Sequence, residues 1–180
     1  MKNTPAGFIA ILVLVLTISA CTSADQKLRD QIASSEKELF NDSIMVPDAQ
    51  KAKDMTALYL SYIEKFPADT MSPLYLFKAA DLSAKTNEIH TAVQLFGKLA
   101  KDYPDHRHAA VAVFLQGFIY ENQASDPMKA KPYYEEFLKK YPDHPMAADV
   151  LFSLENLGKT PEELIRSFES DSTETTAVVN

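Results

Sequence analysis

The feature that most constrains the fold is an aromatic residue followed by proline, which returns at a nearly constant interval. The three pairs lie 37 and 38 residues apart: Phe66-Pro67, Tyr103-Pro104 and Tyr141-Pro142. Each pair follows a stretch in which apolar residues recur with helical spacing. Proline stops a helix because it has no N–H and restricts the residue before it. The interval therefore predicts a repeating array of helix pairs, with a three-layer helical bundle as the alternative.

The same signals set out the whole chain. We expect helices at 26–40, 48–66, 72–85, 88–103, 106–122, 127–141, 145–157 and 161–169. Asp126-Pro127 supplies a capping carboxylate and a first-turn proline, and Thr160 with Glu163 forms a capping box. The predicted organisation is a signal peptide (1–20), a tether (21–25), a helical repeat domain (26–169) and a Ser/Thr-rich disordered tail (170–180).

Composition narrows the classes of fold and function. Only 4 glycines are present, which argues against an all-β protein with many tight hairpins. The 18 basic and 25 acidic residues give a net charge of −7 without a basic stripe, so we expect no nucleic-acid partner. A single cysteine excludes an internal disulfide framework and a cysteine-based zinc site.

The amino-terminal segment has the features of a secretory signal peptide. Lys2 precedes an apolar run over 8–16, and this run is too short for a transmembrane helix. The residues before and at the cysteine resemble the bacterial lipobox: Ile18, Ser19, Ala20 and Cys21. The resemblance implies cleavage before Cys21 and lipid attachment to it, which would anchor the protein stably. A plain signal peptide and an uncleaved anchor are the alternatives.

The repeat pattern resembles the tetratricopeptide family, in which antiparallel helix pairs stack into a right-handed superhelix. The resemblance implies small residues where two helices cross, a large ring towards the next repeat, and a closing proline. The positions that match are Ala80, Ala92, Phe96, Pro104, Gly117, Tyr120, Ala130, Tyr134 and Pro142. The flanking repeats depart from the motif, as at Glu155, where a small residue is expected. The fold implied is an all-α solenoid.

In this family the first helix of each pair lines a concave face that binds the partner. The corresponding positions are Leu74, Phe77, Asp81, Val111, Phe114, Phe118, Glu121, Asp149, Phe152 and Asn156. Phe77, Phe114 and Phe152 fall at equivalent places in successive repeats. Two interpretations stay open for this row. The rings either pack on their neighbours or form an apolar groove with an acidic rim, suited to a peptide or a helix.

Catalytic, metal and cofactor chemistry finds little support. His106, His108 and His144 lie beside aspartates, but residues two apart point away from each other on a helix, so we expect capping and loop roles rather than a metal site. Paired carboxylates at 135–136 and 162–163 fit solvated faces and helix dipoles. A phosphate-binding loop, an HExxH helix and a nucleophile elbow are all missing from the sequence. We expect no enzyme, no cofactor and no metal.

The lipobox and the Tyr-Pro-Asp-His motif together also resemble helical lipoproteins of the bacterial envelope. Two kinds are similar: the tetratricopeptide lipoprotein of the β-barrel assembly machinery and the repeat-bearing coordinator of the Tol–Pal system. The implied function is a scaffold on the periplasmic side of the outer membrane that binds envelope proteins or peptides. A ligand-capture subunit of an envelope transporter or enzyme complex is the alternative, and a purely structural tether is another.

Overall fold

The computed structural model describes residues 23–40 and 48–166, and this part of the chain is helical without any β-strand. In chain order the helices are α1 (Ala24–Leu39), α2 (Ala49–Lys65), α3 (Ser72–Lys85), α4 (Ile89–Asp102), α5 (Ala109–Asn122), α6 (Pro127–Lys140) and α7 (Ala147–Glu155). A further helical segment covers 161–166. The predicted helices are thus found in order. The predicted signal peptide and the tail at 170–180 lie outside the described residues.

The helices form a solenoid because each one packs chiefly on the helices before and after it in sequence. The buried core is elongated accordingly. One cluster of buried side chains extends from α1 to α5, and a second cluster joins α5, α6 and α7. Contact chiefly between sequence neighbours is the property of a repeat array. The predicted all-α solenoid of antiparallel helix pairs is confirmed, and the single-centre bundle is not what forms.

The three aromatic-proline pairs end α2, α4 and α6 in the same way. The backbone at Phe66, Tyr103 and Tyr141 has φ values of −133°, −131° and −132°, with ψ values of 55°, 57° and 52°. Each of these residues still donates its N–H to the carbonyl four residues back. The proline that follows has no N–H to continue the ladder. The repeat in the sequence is therefore a repeat in backbone geometry.

A tight turn after each proline delays the next helix. In this turn a side chain accepts a hydrogen bond from the N–H two residues later. The distances are 2.8 Å for Asp69 Oδ1 to Met71 N, 3.3 Å for His106 Nδ1 to His108 N, and 3.2 Å for His144 Nδ1 to Met146 N. Side chains that bond to nearby backbone in this way favour turns over helix. This turn is why α5 and α7 begin three and two residues later than predicted.

The predicted caps form at two other helix starts. Asp126 Oδ1 accepts from the N–H of Lys129 at 3.1 Å before α6. At the C-terminal segment, Thr160 N donates to Glu163 Oε2 at 2.8 Å, and Glu163 N donates to Thr160 Oγ1 at 3.2 Å. Both motifs are confirmed as helix starts. Helix α1 begins at Ala24, two residues earlier than predicted, so the segment expected to be a tether is already helical there.

Candidate binding face

Most residues that the family resemblance assigned to repeat packing lie inside the molecule. Six of them are buried: Ala80, Ala92, Phe96, Gly117, Ala130 and Tyr134. Tyr120 is half-buried and stacks on Tyr133 with 5.7 Å between ring centroids. Pro104 and Pro142 are exposed at the ends of their helices. The small residues therefore stand where helices approach closely, and the rings fill the space beside them.

Gly117 shows how close that approach is. A Cβ atom at this position would lie 2.7 Å from Cε1 of Tyr134 and 3.2 Å from the carbonyl oxygen of Ala130. Van der Waals contact between carbon atoms needs about 3.5 Å or more. Helix α5 can approach α6 at this distance only because residue 117 has no side chain.

A buried tyrosine and a glutamate join α5 to α6. Tyr134 is 0% exposed, and its hydroxyl donates to Glu121 Oε2 at 2.5 Å. Burial, followed by this carboxylate, raises the pKa of Tyr134 far above its usual range. The hydroxyl therefore stays protonated and remains a donor. Glu121, which we predicted to lie on the groove, is thus also a structural partner of the repeat core.

We call the side formed by α1, α3, α5 and α7 the first-helix face. The predicted phenylalanine row lies along it; Phe77 and Phe114 are both half-buried, and Phe152 at the C-terminal end is exposed. Phe77 packs on Phe96, with ring centroids 5.5 Å apart, and on the imidazole of His108 at 4.5 Å. Phe114 is half-buried and stacks on Tyr134 at 5.7 Å. Phe152 is 48% exposed. Packing thus describes Phe77 and Phe114, whereas Phe152 reaches the surface.

The remaining predicted groove positions also differ in exposure. Leu74, Asp81, Val111 and Asn156 are half-buried, whereas Phe118 and Asp149 are exposed. Phe118 is 41% exposed and touches Phe114, with ring centroids 5.8 Å apart. These two phenylalanines lie one helical turn apart on α5 and form an accessible apolar strip.

The N-terminal part of the first-helix face is ionic instead. Glu36 on α1 accepts from Lys78 on α3 at 2.8 Å and from the buried hydroxyl of Tyr59 at 2.7 Å. On α3 itself, Asp81 pairs with Lys85 at 2.7 Å. Sequence reasoning did not find the Glu36–Lys78 pair, because 42 residues separate the partners and the pair has no equivalent in the next repeat. Only the stacked helices bring these charges together.

Two of the three histidines have the turn roles predicted for them, and His108, whose side chain makes no capping hydrogen bond, has a packing role instead. His106 and His144 accept backbone hydrogen bonds in their turns. His108 packs against Phe77, and its ring lies edge-on to that of His106 at 5.0 Å. Burial, followed by the neighbouring charge of Arg107, lowers the pKa of both His106 and His108. Within 23–40 and 48–166, no three His, Cys, Asp or Glu side chains are grouped so that they could hold a metal ion.

Several clefts lie away from the phenylalanine row. One of about 440 Å³ lies between α1 and α2 and is lined by Glu38, Lys51 and Met55, among others. Another, of about 450 Å³, lies between α4 and α6, beside Lys101 and Tyr133. Both are open and lined with charged side chains, which differs from the largely apolar, enclosed sites that hold small molecules. The apolar strip on α5 is a different kind of surface, suited to a larger partner.

Comparison with known proteins bears on this geometry. Residues 75–106 and 111–144 match the family model described as "Tetratricopeptide repeat", and the two matches cover the pairs α3–α4 and α5–α6. A search of curated proteins gives no match. In the described part of the chain, no helix combines the length and the apolar character needed to cross a membrane. The lipobox residues lie outside that part. The chain is therefore a helical protein with tetratricopeptide repeats, a repeat type that serves as a scaffold for protein–protein interaction.

Proposed function

We propose that this protein is a scaffold of the bacterial envelope, anchored through lipid on Cys21, which recruits protein partners through its first-helix face. The observation that carries the binding role is the strip made by Phe114 and Phe118 on α5. Phe118 is 41% exposed on a helix that belongs to a matched repeat. Adjoining apolar side chains on the surface, unlike single scattered ones, mark interaction sites.

The rigidity of the helices around the strip supports this role. Phe114 is held from behind by Tyr134, and Tyr134 is fixed in turn by Glu121. A ring locked in one position loses little conformational freedom on binding. The strip is therefore organised for a partner before the partner arrives, which favours recognition of a defined segment.

Partner capture from the envelope fraction tests the binding role. The chain carrying Phe118→Asp should lose its partners while its helical circular dichroism stays unchanged, because the side chain is exposed. Met128→Asp is the matched control, since Met128 is 80% exposed on α6, behind the strip. If Phe118→Asp and the control capture the same proteins as the unmodified chain, the strip is not the binding site.

The anchor rests on the lipobox resemblance of Ile18 to Cys21 and is tested separately. Cys21→Ser should release the protein from membranes or leave its precursor uncut, because serine offers no thiol for the lipid. Fractionation of cells and measurement of mature mass read out both effects. A Cys21→Ser variant of mature size that still partitions with membranes would contradict lipid anchoring.

A further inference from the structure

Charge is distributed unevenly among the helices of the C-terminal repeats. Helices α5 and α7, on the first-helix face, contain no lysine or arginine; their charged residues are all acidic: Glu121, Asp149 and Glu155. Helix α6 packs against both and carries two glutamates and four lysines, three of which are ion-paired with acids of α6 or of its cap. The lysines are Lys129, Lys131, Lys139 and Lys140. The strip therefore lies on a helix whose single charged residue is acidic, and the nearest cations of the same face, Arg107 and Lys159, lie in the turns at the ends of α5 and α7.

The acids of α5 and α7 form no ion pair within the described residues, since Lys159, the cation that follows α7, donates to Asn156 at 2.9 Å. Asp149 is exposed, and its carboxylate forms no ion pair within the described residues. Glu121 receives only the neutral hydroxyl of Tyr134. The acids on the N-terminal part of the face differ, since Glu36 pairs with Lys78 and Asp81 with Lys85. Negative charge without an ion pair is therefore found next to the strip at Glu121 and on the neighbouring first helix at Asp149.

The residues of α5 also share one line along the helix. Phe114, Phe118 and Glu121 follow one another at i, i+4 and i+7, so they lie on the same stripe. The stripe presents two rings and then a carboxylate. A helix that lies along it would need apolar residues at the same spacing, followed by a cation.

We infer that the partner segment is a cationic amphipathic helix, which places apolar side chains on Phe114 and Phe118 and basic side chains towards Glu121 and Asp149. This inference rests on the proposed function and specifies its partner. Complementary charge speeds encounter and rejects acidic competitors, whereas the buried rings hold the complex together. An apolar helix face in an apolar groove is an established mode of peptide recognition.

Two model peptides test the inference with the purified full chain. The first is an 18-residue amphipathic helix of leucine and lysine with one tryptophan; the second has glutamate in place of every lysine. Because the protein contains no tryptophan, fluorescence of the peptide reports binding directly. We expect the lysine peptide to bind at least about tenfold more tightly at low salt. The difference should shrink at about 1 M salt, where screening acts within about 3 Å.

Charge reversal locates the effect on the surface. Asp149→Lys should weaken binding of the lysine peptide about three- to tenfold. Glu135→Lys is the control, because Glu135 is exposed on α6 and the variant has the same net charge. Equal weakening by both variants would show attraction to the whole protein and overturn the inference. Equal binding of the two peptides would overturn it as well.

The result also separates this inference from the proposed function. Phe118→Ser removes apolar contact without adding charge. It should weaken binding of the lysine peptide more than Asp149→Lys does. If capture of natural partners depends on Phe118 but the lysine and glutamate peptides bind equally well, the partner is not cationic and only the inference fails. If neither natural partners nor peptides depend on Phe118, the proposed function fails with it.

Discussion

The two ends of the first-helix face have the same backbone and different surfaces. Near the N-terminus, α1 and α3 are joined by Glu36 and Lys78, and Phe77 is covered by Phe96 and His108. Near the C-terminus, α5 presents Phe114 and Phe118 beside unpaired acids. The repeat thus sets the position of a side chain, and contacts with the neighbouring helix determine whether that side chain is packed or exposed.

A single pair of equivalent positions illustrates this. Asp81 on α3 and Phe118 on α5 occupy the same place in successive repeats. Asp81 pairs with Lys85 one turn later, whereas Phe118 has Asn122 at that distance and stays 41% exposed. The two positions therefore present different chemistry on the same face, an ion pair on α3 and an exposed ring on α5.

The sharpest test of this division compares alanine at two phenylalanines. Phe77→Ala should lower the free energy of unfolding by about 2–3 kcal/mol, because its ring is packed between α4 and the start of α5. Phe118→Ala should lower it by less than about 1 kcal/mol, because its ring is largely in solvent. Urea denaturation followed by circular dichroism measures both. Equal losses would mean that the two ends of the face do not differ in their role.

A smaller effect is expected at the crossing of α5 and α6. Gly117→Ala should destabilise the protein by about 2 kcal/mol, since the new methyl group overlaps Tyr134 and this ring cannot shift without losing Glu121. The effect opposes the better helix propensity of alanine, worth about 1 kcal/mol. Ala80 occupies the equivalent crossing of α3, which accommodates a methyl group. A Gly117→Ala protein as stable as the original would show that the two crossings are equally wide.

The contacts of Glu36 with Lys78 and Tyr59, at the N-terminal end of the first-helix face, should contribute less to stability. Glu36→Gln should cost about 1 kcal/mol, because it weakens bonds to Lys78 and Tyr59, and the 38% exposure of the Lys78 side chain lets water compensate in part. The control Asp81→Asn removes an exposed pair within one helix and should cost no more than about 0.5 kcal/mol. A cycle with Lys78→Met measures the coupling. A coupling energy of zero between Glu36 and Lys78 would show that their ion pair does not stabilise the N-terminal end of the face.

The smallest effect concerns the turns before α3 and α5, where Asp69 and His106 hold equivalent places. Burial, followed by Arg107, lowers the pKa of His106 and of His108 in the folded state. The unfolded chain therefore takes up these protons at higher pH than the folded chain does. The stability contributed by the neutral rings is fully present above about pH 6.5 and is lost as the pH falls towards the folded values. We expect a lower melting temperature at pH 5.5 than at pH 7.5.

Replacement of His106 by aspartate, the residue found at position 69 in the turn before α3, tests whether His106 causes this pH dependence. In the His106→Asp protein a carboxylate takes over the hydrogen bond to the N–H of His108, as Asp69 does for Met71. One of the two titrating rings is then gone, and the change in melting temperature between pH 7.5 and 5.5 should become smaller. An unchanged pH dependence would assign the effect to groups elsewhere in the protein.

Local rules predicted much of the fold because the relevant interactions lie close in sequence. The stops at Phe66, Tyr103 and Tyr141 follow from proline chemistry, and the capping box at Thr160 joins residues three apart. The late starts of α5 and α7 were missed because a histidine acceptor in a turn has no strong sequence signal. The Glu36–Lys78 pair was missed because its partners meet only across stacked helices.

By itself, the sequence determined a helical array with a 37- to 38-residue period and the positions of its small and aromatic packing residues. Helical spacing and proline stops are local properties, so no tertiary contact was needed to read them. The tertiary structure decided how far each equivalent phenylalanine is buried: Phe77 packs on Phe96, whereas Phe152 is 48% exposed. Burial depends on which neighbour stands opposite, and that neighbour comes from another helix.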